Sequence, residues 1–265
     1  MIELFLRKYL AAFLTAFSFN TSSAQWVLLK GDFGEDVSAL LLSDSYVFAG
    51  ADNGVFRTAD NGSNWTLTKF EHVTYSLIKV NSEIFAGTDD KVFKTSNNGL
   101  NWIAVHNGMP NTYVSVHAFV FVSGKLYAGT NAGIYVTTDG GMNWDSSSWG
   151  MDDIFTFSMA ATGNDLFAGT FQGGVFKSTN SGSSWYSSGL RDTTIKALFV
   201  KNSVVFAGTR YGVFRSTNNG LSWIPANAGI NNYVIYTFYS NNNILFVGTG
   251  DGVYLSYNDG ARRRI

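Results

Sequence analysis

One eight-residue phrase recurs along the chain and strongly limits what it can fold into. The phrase reads Ser/Thr-x-Asp/Asn-x-Gly-x-x-Trp, as in Thr58-Ala-Asp60-Asn-Gly62-Ser-Asn-Trp65. A sixth copy begins at Ser256 and has Arg263 where the tryptophan is expected. The other five copies end in a tryptophan at intervals of about 40 residues, at Trp65, Trp102, Trp144, Trp185 and Trp223. A period of this length is typical of a radial or stacked array of one supersecondary unit.

A second phrase in each repeat predicts its strands. Val47-Phe-Ala-Gly50 is followed after a few residues by Val55-Phe56, and the other repeats carry the same pair of runs. β-branched and aromatic runs around Gly, Asn and Asp indicate a β-hairpin. One more apolar run precedes each hairpin and another follows each tryptophan, so each repeat has four short strands, as a propeller blade does. The sequence predicts an all-β, six-bladed β-propeller, with seven or more blades if the natural chain is longer.

The eight-residue phrase itself indicates a turn between the third and fourth strands. Its Asp or Asn oxygen accepts backbone N–H groups, and its Gly permits a positive φ. Its tryptophan then buries a large ring where the fourth strand begins. The predicted turn residues are Asp60, Asn97, Asp139, Asn180, Asn218 and Asn258, with Trp65, Trp102, Trp144, Trp185 and Trp223 as the buried rings.

This phrase resembles the Asp box of the bacterial neuraminidase (BNR) repeat. Such repeats occur in sialidases, xyloglucan-active glycoside hydrolases, sortilin-type receptors and photosystem II assembly factors. The resemblance covers about residues 36–260 and implies a propeller whose boxes are structural turns on the face away from the ligand. Since enzymes and pure binders share the repeat, it implies no single activity. Four of the six boxes have Asn in place of Asp, which suits a turn better than catalysis.

Two members of that group fit poorly. Sialidases bind the substrate carboxylate with three arginines, and only Arg191 and Arg210 are expected on the ligand face here. The early Arg-Ile-Pro motif of sialidases is absent from this sequence. The same two arginines fall short of the arginine cluster that marks the partner surface of the photosystem assembly factors.

The first residues have the pattern of a secretory signal peptide. Arg7 and Lys8 precede the apolar stretch Tyr9–Phe19, and Ser22-Ser-Ala24 offers small residues for cleavage. The stretch is too short to span a bilayer as a helix, although a membrane anchor is the alternative. We therefore predict a signal peptide over 1–24 and a propeller over 25–265, in a protein that is secreted or on the cell surface. The absence of cysteine fits an exported bacterial protein stabilised by packing.

Residues Trp26–Lys30 offer a way to close the ring. Trp26-Val-Leu-Leu-Lys-Gly31 aligns with the strand after a box, such as Trp102-Ile-Ala-Val-His-Asn-Gly108. The sixth repeat lacks that strand, so the two termini would share the sixth blade. The alternative is a natural chain that continues beyond residue 265 into further blades or a sorting domain.

Composition excludes several classes of function. The net charge is −1 and only 14% of residues are charged, so no basic patch predicts a nucleic-acid partner or an anionic membrane. The three histidines lack metal-ligand spacing, and no Gly-rich phosphate loop or Gly-x-Ser-x-Gly elbow is present. We expect no metal, no cofactor, no membrane span after signal cleavage, and a monomer.

The ligand face is predicted at the hairpins between second and third strands and at the links between blades. A glycoside hydrolase would need two carboxyl groups there, about 5–5.5 Å or 6.5–9.5 Å apart. The candidate catalytic residues are Asp52, Asp89, Asp152 and Asp251, paired as Asp89 with Asp152 or Asp52 with Asp251. An Asp at a hairpin tip also simply makes the turn.

Aromatic and cationic residues at the same positions favour binding over catalysis. The candidate binding residues are Trp149, Phe171, Arg210, Tyr211 and Tyr233, with Tyr113 beside them. Flat rings of this kind stack on sugars or anchor protein partners, although some could instead fill the core between blades. The sequence predicts a secreted, non-enzymatic interaction module for an extracellular protein or polysaccharide. A glycoside hydrolase with two carboxylates on that face is the alternative.

Overall fold

The computed structural model describes residues 33–34, 36–241 and 243–261. These residues form 23 strands and no helix, and so contain no helix able to cross a membrane. Blades one to three consist of β1 Val37–Ser43, β2 Tyr46–Ala51, β3 Gly54–Thr58, β4 Thr66–Leu67, β5 Thr74–Val80, β6 Glu83–Thr88, β7 Lys91–Thr95, β8 Ile103–Ala104, β9 Val116–Val122, β10 Lys125–Thr130, β11 Gly133–Thr137 and β12 Asp145–Ser146. Blades four to six consist of β13 Thr156–Thr162, β14 Asp165–Thr170, β15 Val175–Ser178, β16 Tyr186–Gly189, β17 Ala197–Lys201, β18 Val204–Thr209, β19 Gly212–Ser216, β20 Ile224–Pro225, β21 Ile235–Asn241, β22 Ile244–Thr249 and β23 Gly252–Ser256.

The strands form six antiparallel sheets, each a meander of consecutive strands. Five sheets have four strands, and the sixth has three within the described residues. The first strand of each blade packs beside the first strand of the next, from β1 through to β21. The six-bladed propeller predicted from the repeat is thereby confirmed. The predicted signal peptide and the predicted closing strand Trp26–Lys30 lie outside the described residues.

The second strand of each blade is mostly buried, because neighbouring blades cover both of its faces. The Gly that ends the repeated Phe-Ala-Gly phrase lies where an adjacent blade comes very close. A Cβ on Gly87 would lie 2.3 Å from Ser76 Oγ and 2.7 Å from Val116 O. That residue is therefore glycine because no side chain fits, although its own φ is not in the left-handed region.

The boxes are tight turns stabilised by their own side chains. In the first box, Asp60 Oδ1 accepts the Thr58 hydroxyl at 2.6 Å and the Asn64 N–H at 2.9 Å. Thr58 Oγ1 accepts the Gly62 N–H at 3.1 Å. These bonds to the charged form hold the pKa of Asp60 down at about 2.

Four of the five box tryptophans join their blade to the preceding one. The Trp144 indole N–H donates to Val105 O at 2.8 Å, and Trp185 and Trp223 donate to the carbonyls of Ser147 and Ser188 at 2.6 and 2.7 Å. Trp102 donates instead to the Thr68 hydroxyl, at 3.2 Å. The rings also fill the space between adjacent sheets, and Trp144 is only 2% exposed.

Candidate functional site

In each blade, the start of the first strand lies beside the tip of the second hairpin. The N–H groups of Asp52, Asn131 and Phe171 at three tips donate to the carbonyls of Asp36, Ser115 and Phe155. Strand starts and hairpin tips therefore share one face of the ring, opposite the boxes. We call this face, where it surrounds the propeller axis, the mouth.

A β-bulge recurs near the start of the first strand in five blades. The register of the strand pairing shifts by one residue there, so that one residue of the first strand is skipped in the ladder. Bulges of this kind aim a side chain away from the regular alternation of the sheet. The skipped residues are Ser38, Tyr75, His117, Phe157 and Tyr236, and Lys196 holds the same place just before β17 in blade five.

The chemistry of the mouth changes from blade to blade around the ring. Blades one and two contribute the carboxylates of Asp36, Asp52 and Asp89. Blades three and four contribute aromatic rings, and blade five contributes the exposed cations Lys196 and Arg210. In a ring of six blades, the fifth lies across the axis from the second. The mouth therefore carries charges of both signs beside an apolar wall, and Asp152, Arg191 and Asp251 add further charges on the neighbouring links and hairpins.

The apolar wall is one continuous cluster of rings. Phe155 and Phe157 stack with centroids 4.6 Å apart, and His117 lies 5.4 Å from each of them. Phe171 contacts both phenylalanines at 6.0 and 6.2 Å and is 46% exposed, so its ring borders solvent. Tyr75 extends the cluster to blade two, 5.1 Å from His117.

Burial sets the protonation of this wall. It lowers the pKa of His117 to about 4, so the imidazole is neutral at physiological pH. His117 Nε2 and Ser115 Oγ are hydrogen-bonded at 3.0 Å, and the tautomer of the ring decides which of the two donates. Burial is also the main reason that the pKa of Tyr75 is raised, and the nearby Tyr113, Asp89 and Asp52 act in the same direction. The wall is therefore uncharged at neutral pH.

Three of the four candidate catalytic carboxylates have a hydrogen-bond or ion-pair partner nearby. Asp52 Oδ2 accepts the Asp36 N–H at 3.1 Å, the same role that Asn131 plays for Ser115 in blade three. Asp89 differs: its Oδ1 lies 3.8 Å from His72 Nδ1, too far for a hydrogen bond, and is buried with no hydrogen-bond partner among the described residues.

The other two candidates are similarly engaged. Asp152 forms an exposed ion pair with Arg191, across the links on either side of blade four. Asp251 accepts the Thr249 hydroxyl at 2.6 Å and the Tyr254 hydroxyl at 3.3 Å within its own hairpin. These contacts are the ones expected of carboxylates that stabilise turns and links.

The structure places the candidate binding residues in different surroundings. Phe171 lies in the apolar wall, and Arg210 packs over the ring of its neighbour Tyr211 at 4.7 Å. Tyr233 is 50% exposed on the link into blade six. Trp149 is 77% exposed, but its carbonyl accepts the backbone N–H of Trp185 at the start of an outer strand. It therefore lies beside a box, away from the mouth.

Among the mouth residues that the sequence-based reasoning missed, five share one position in the repeat, namely Tyr75, His117, Phe157, Lys196 and Tyr236. The signal was present in the repeat alignment, because each precedes the small residue that pairs with the Gly of the Phe-Ala-Gly phrase. From strict alternation along a strand, a side chain at this position would not be expected to project into the mouth. The bulge, which the sequence does not reveal, directs it there. Lys196 Nζ lies 5.0 Å from the centre of the Tyr236 ring, a cation–π contact.

The described residues contain no group of three or more His, Cys, Asp or Glu side chains arranged to hold a metal ion. The mouth presents aromatic rings, hydroxyl groups and charged side chains. Such groups bind a ligand through stacking, ion pairs and hydrogen bonds.

Comparison with known proteins gives matches of fold only. No family model matches the chain, and no curated protein matches it. The extracellular domain of BT4673 from B. thetaiotaomicron matches with a TM-score of 0.75 and 16% identity, over 88% of this chain and 34% of that one. YCF48 bound to D1 peptide matches with a TM-score of 0.65 and 14% identity, over 84% and 77%. The GH74 xyloglucanase from Xanthomonas campestris matches with a TM-score of 0.61 and 15% identity, over 87% and 38%.

This chain spans about a third of the length of the BT4673 extracellular domain. At these identities, the likeness shows a shared propeller architecture and nothing about ligand or chemistry.

Proposed function

We propose that this protein is an exported, non-enzymatic interaction module that binds an extracellular protein or glycan at the mouth. The observation that supports this most is the wall of aromatic rings beside charges of both signs. Phe171 is an exposed anchor whose ring is backed by Phe155 and Phe157, so little side-chain entropy is lost on binding. The rings project from strands and tight hairpins, which fix their geometry before any ligand arrives.

Between the two classes of ligand, the charges favour a polypeptide. Lys196 and Arg210 would pair with an acidic group and Asp89 with a basic one, and a segment of protein supplies both. A neutral polysaccharide carries no charged group to match either sign. The matches to YCF48 bound to a peptide and to a GH74 enzyme are both matches of fold, so the preference for a polypeptide rests on the charges alone. The match to an extracellular domain is consistent with export.

A glycoside hydrolase is the less supported alternative. A general acid in such an enzyme has a raised pKa. The described carboxyl groups whose pKa the structure shifts are Asp60, Asp139, Asp153 and Asp165, and all four are lowered. The similarity to a GH74 enzyme is one of fold, so it adds no support for hydrolysis.

The test is binding of capped hexapeptides that contain one aromatic residue between one Lys and one Glu, against xyloglucan oligosaccharides as the neutral glycan probe. Phe171→Ala should weaken peptide binding about 30-fold, the loss typical of a hot-spot residue at about 2 kcal/mol. Tyr186→Ala is the matched control, because Tyr186 is also 46% exposed but lies on an outer strand. Equal effects of the two substitutions would contradict binding at the mouth.

The same assays separate the alternatives. If the oligosaccharides bind and Phe171→Ala abolishes that binding, the site would be the mouth as proposed but the ligand would be a glycan. Release of reducing sugar, lost when either Asp89 or Asp152 is replaced by Asn, would establish a hydrolase and overturn the proposal.

A further inference from the structure

The hairpin tip of blade four is one residue longer than the tips of the other five blades. In blade two, Gly87 at the end of the Phe-Ala-Gly phrase pairs with Val92, five places later, and the same spacing holds in blades one, three, five and six. In blade four, Gly169 pairs with Val175, six places later. The additional residue lies in the segment that carries Phe171, the exposed ring of the apolar wall.

The longer tip cannot satisfy its backbone in the way that a two-residue tip does. In blade three, the Ala132 N–H donates to the hydroxyl of Thr130 at 2.9 Å, within the same hairpin. In blade four, the two consecutive N–H groups of Gln172 and Gly173 donate instead to an acceptor outside the hairpin. Because an unpaired backbone N–H is costly, the longer tip depends on that acceptor for its conformation.

The acceptor is the carboxylate of Asp153, on the link before blade four. Its Oδ2 accepts the N–H groups of Gln172 and Gly173, both at 2.7 Å. Its Oδ1 accepts the Phe155 N–H at 3.2 Å. Burial raises the pKa of Asp153, but the hydrogen bonds to its charged form outweigh burial, so the pKa is lowered. The carboxylate is therefore charged at neutral pH, and its bonds to the tip are of the stronger, charge-assisted kind.

This carboxylate ties together the backbones that carry two rings of the wall. The Phe171 N–H also donates to Phe155 O at 3.0 Å, and the two rings stack with centroids 6.0 Å apart. On the other side of the tip, the Thr194 hydroxyl donates to Phe171 O. The tip packs directly on the carboxylate side chain, since a Cβ on Gly173 would lie 2.7 Å from Asp153 Cβ.

We infer that Asp153 is a positioning residue of the binding site, which holds the Phe171 ring in the apolar wall before a ligand arrives. The inference rests on the proposed function, because it takes the mouth as the binding site. Asp153 acts through Phe171, since both of its oxygens accept backbone N–H groups of the protein. An anchor that is already ordered loses little freedom on binding, so releasing the tip should weaken binding.

Blade six shows why this position in blade four needs two acceptor oxygens. Asn232 lies three residues before β21, as Asp153 lies three residues before β13. Asn232 Oδ1 accepts the Val234 N–H at 3.0 Å, the bond that Asp153 makes to Phe155. An amide has one acceptor oxygen, which serves the link. The longer tip of blade four needs the second oxygen that only a carboxylate supplies.

The first test measures the tip without any ligand. The chain has no cysteine, so Gln172→Cys in the full chain takes a single nitroxide label and keeps the backbone N–H at that position. Adding Asp153→Ala should make the label more mobile in its electron paramagnetic resonance spectrum. An unchanged spectrum would overturn the inference.

The matched control for this test is Asp139→Ala. Asp139 accepts the Asn143 N–H at 2.9 Å and the Thr137 hydroxyl at 2.8 Å, so it also loses bonds to a charged carboxylate, but it lies in a box on the opposite face. Asp139→Ala should lower the melting temperature and leave the mobility of the label at residue 172 unchanged. An equal rise in mobility would overturn the inference, because the effect of Asp153→Ala would then be a general loss of stability.

The second test is a double-mutant cycle on binding of the capped hexapeptides. Asp153→Ala should weaken binding about tenfold when Phe171 is present, and less than about twofold in the Phe171→Ala variant. Equal weakening in the two backgrounds would overturn the inference, because Asp153 would then act independently of the ring.

Failure of the inference and failure of the proposed function give different results. If the peptides bind neither the unaltered protein nor any variant, the proposed function fails, while the mobility of the label still decides whether Asp153 holds the tip. If Asp153→Ala does not accumulate, Asp153→Asn replaces it. The amide keeps the bond to the link, as Asn232 does, and loses the bonds to the tip. The label should again become more mobile, and an unchanged spectrum would overturn the inference.

Discussion

Replacing Trp144 by Ala tests whether the box tryptophan is what joins adjacent blades. The side chain is 2% exposed, lies in the cluster between blades two and three, and donates to Val105 O at 2.8 Å. A buried aromatic side chain removes about 150–250 Å² from water, which at about 25 cal/mol per Å² is worth about 4–6 kcal/mol. Partial collapse of the cavity reduces this, and measured losses for such substitutions are about 3–5 kcal/mol.

We therefore expect Trp144→Ala to lower the free energy of unfolding by about 4 kcal/mol. Trp144→Phe keeps most of the apolar contact but leaves the Val105 carbonyl without its donor, so we expect a loss of about 1–3 kcal/mol. Met142→Ala is the control on the same turn, since Met142 is 67% exposed, and should change stability by less than about 0.5 kcal/mol.

The assay is urea denaturation followed by far-ultraviolet circular dichroism, with the slope of the transition compared between variants. An unchanged slope with a lower midpoint would show a loss of native stability alone. If Trp144→Ala cost no more than Met142→Ala, the rings would not be what joins the blades.

Three further changes test the turns and the buried charge. The pKa of Asp60 is lowered from 3.8 to about 2, so its contribution to stability is present above pH 4 and is lost as the pH falls towards 2. Asp60→Asn should therefore make the melting temperature depend less on pH over that range. An unaltered dependence of the melting temperature on pH would contradict this. Gly108 and Gly124 both have positive φ, but an added Cβ would lie 2.2 Å from a backbone oxygen at Gly108 and would meet nothing within 4 Å at Gly124. Gly124→Ala should therefore lower the free energy of unfolding by about 1–2 kcal/mol, and Gly108→Ala by clearly more. Similar losses for the two variants in thermal unfolding would show that the structure around Gly108 relaxes to admit the Cβ. Lys177 is buried and its Nζ lies 2.8 Å from Asp165 Oδ2, whereas Lys79 forms a more exposed ion pair with Asp44 at 2.7 Å. In chemical denaturation, Lys177→Met should lower the free energy of unfolding by about 3–5 kcal/mol and Lys79→Met by less than about 1 kcal/mol. Equal losses would contradict the effect of burial.

Local chemistry made the architecture predictable. A hairpin needs only its turn residues and alternating apolar runs, and Val47-Phe-Ala-Gly50 with Val55-Phe56 shows both in one short segment. The box at Asp60 makes its hydrogen bonds between near neighbours in the chain. Because the same local unit recurs six times, the number of blades follows from the sequence.

The composition of the mouth could be predicted only in part. Phe171 and Arg210 were predicted at hairpin tips, which are local features visible in the sequence, and both lie at such tips in the structure. Trp149 was placed with them because it lies on a link between blades. Its backbone contact with Trp185, far along the chain, instead places it beside a box. The path of a link depends on the blade it packs against, which local sequence does not encode.

What the sequence determined by itself is therefore the repeating unit: its strands, its turns, its tryptophan and the number of copies. Only the tertiary structure decided which side chains meet at the propeller axis. Tyr75, His117 and Phe157 come together there from three blades, each aimed by a bulge that exists only in the pairing of two strands. The physical reason is range, since turns depend on neighbours in the chain, whereas a site at the axis depends on side chains a full repeat apart that packing brings together.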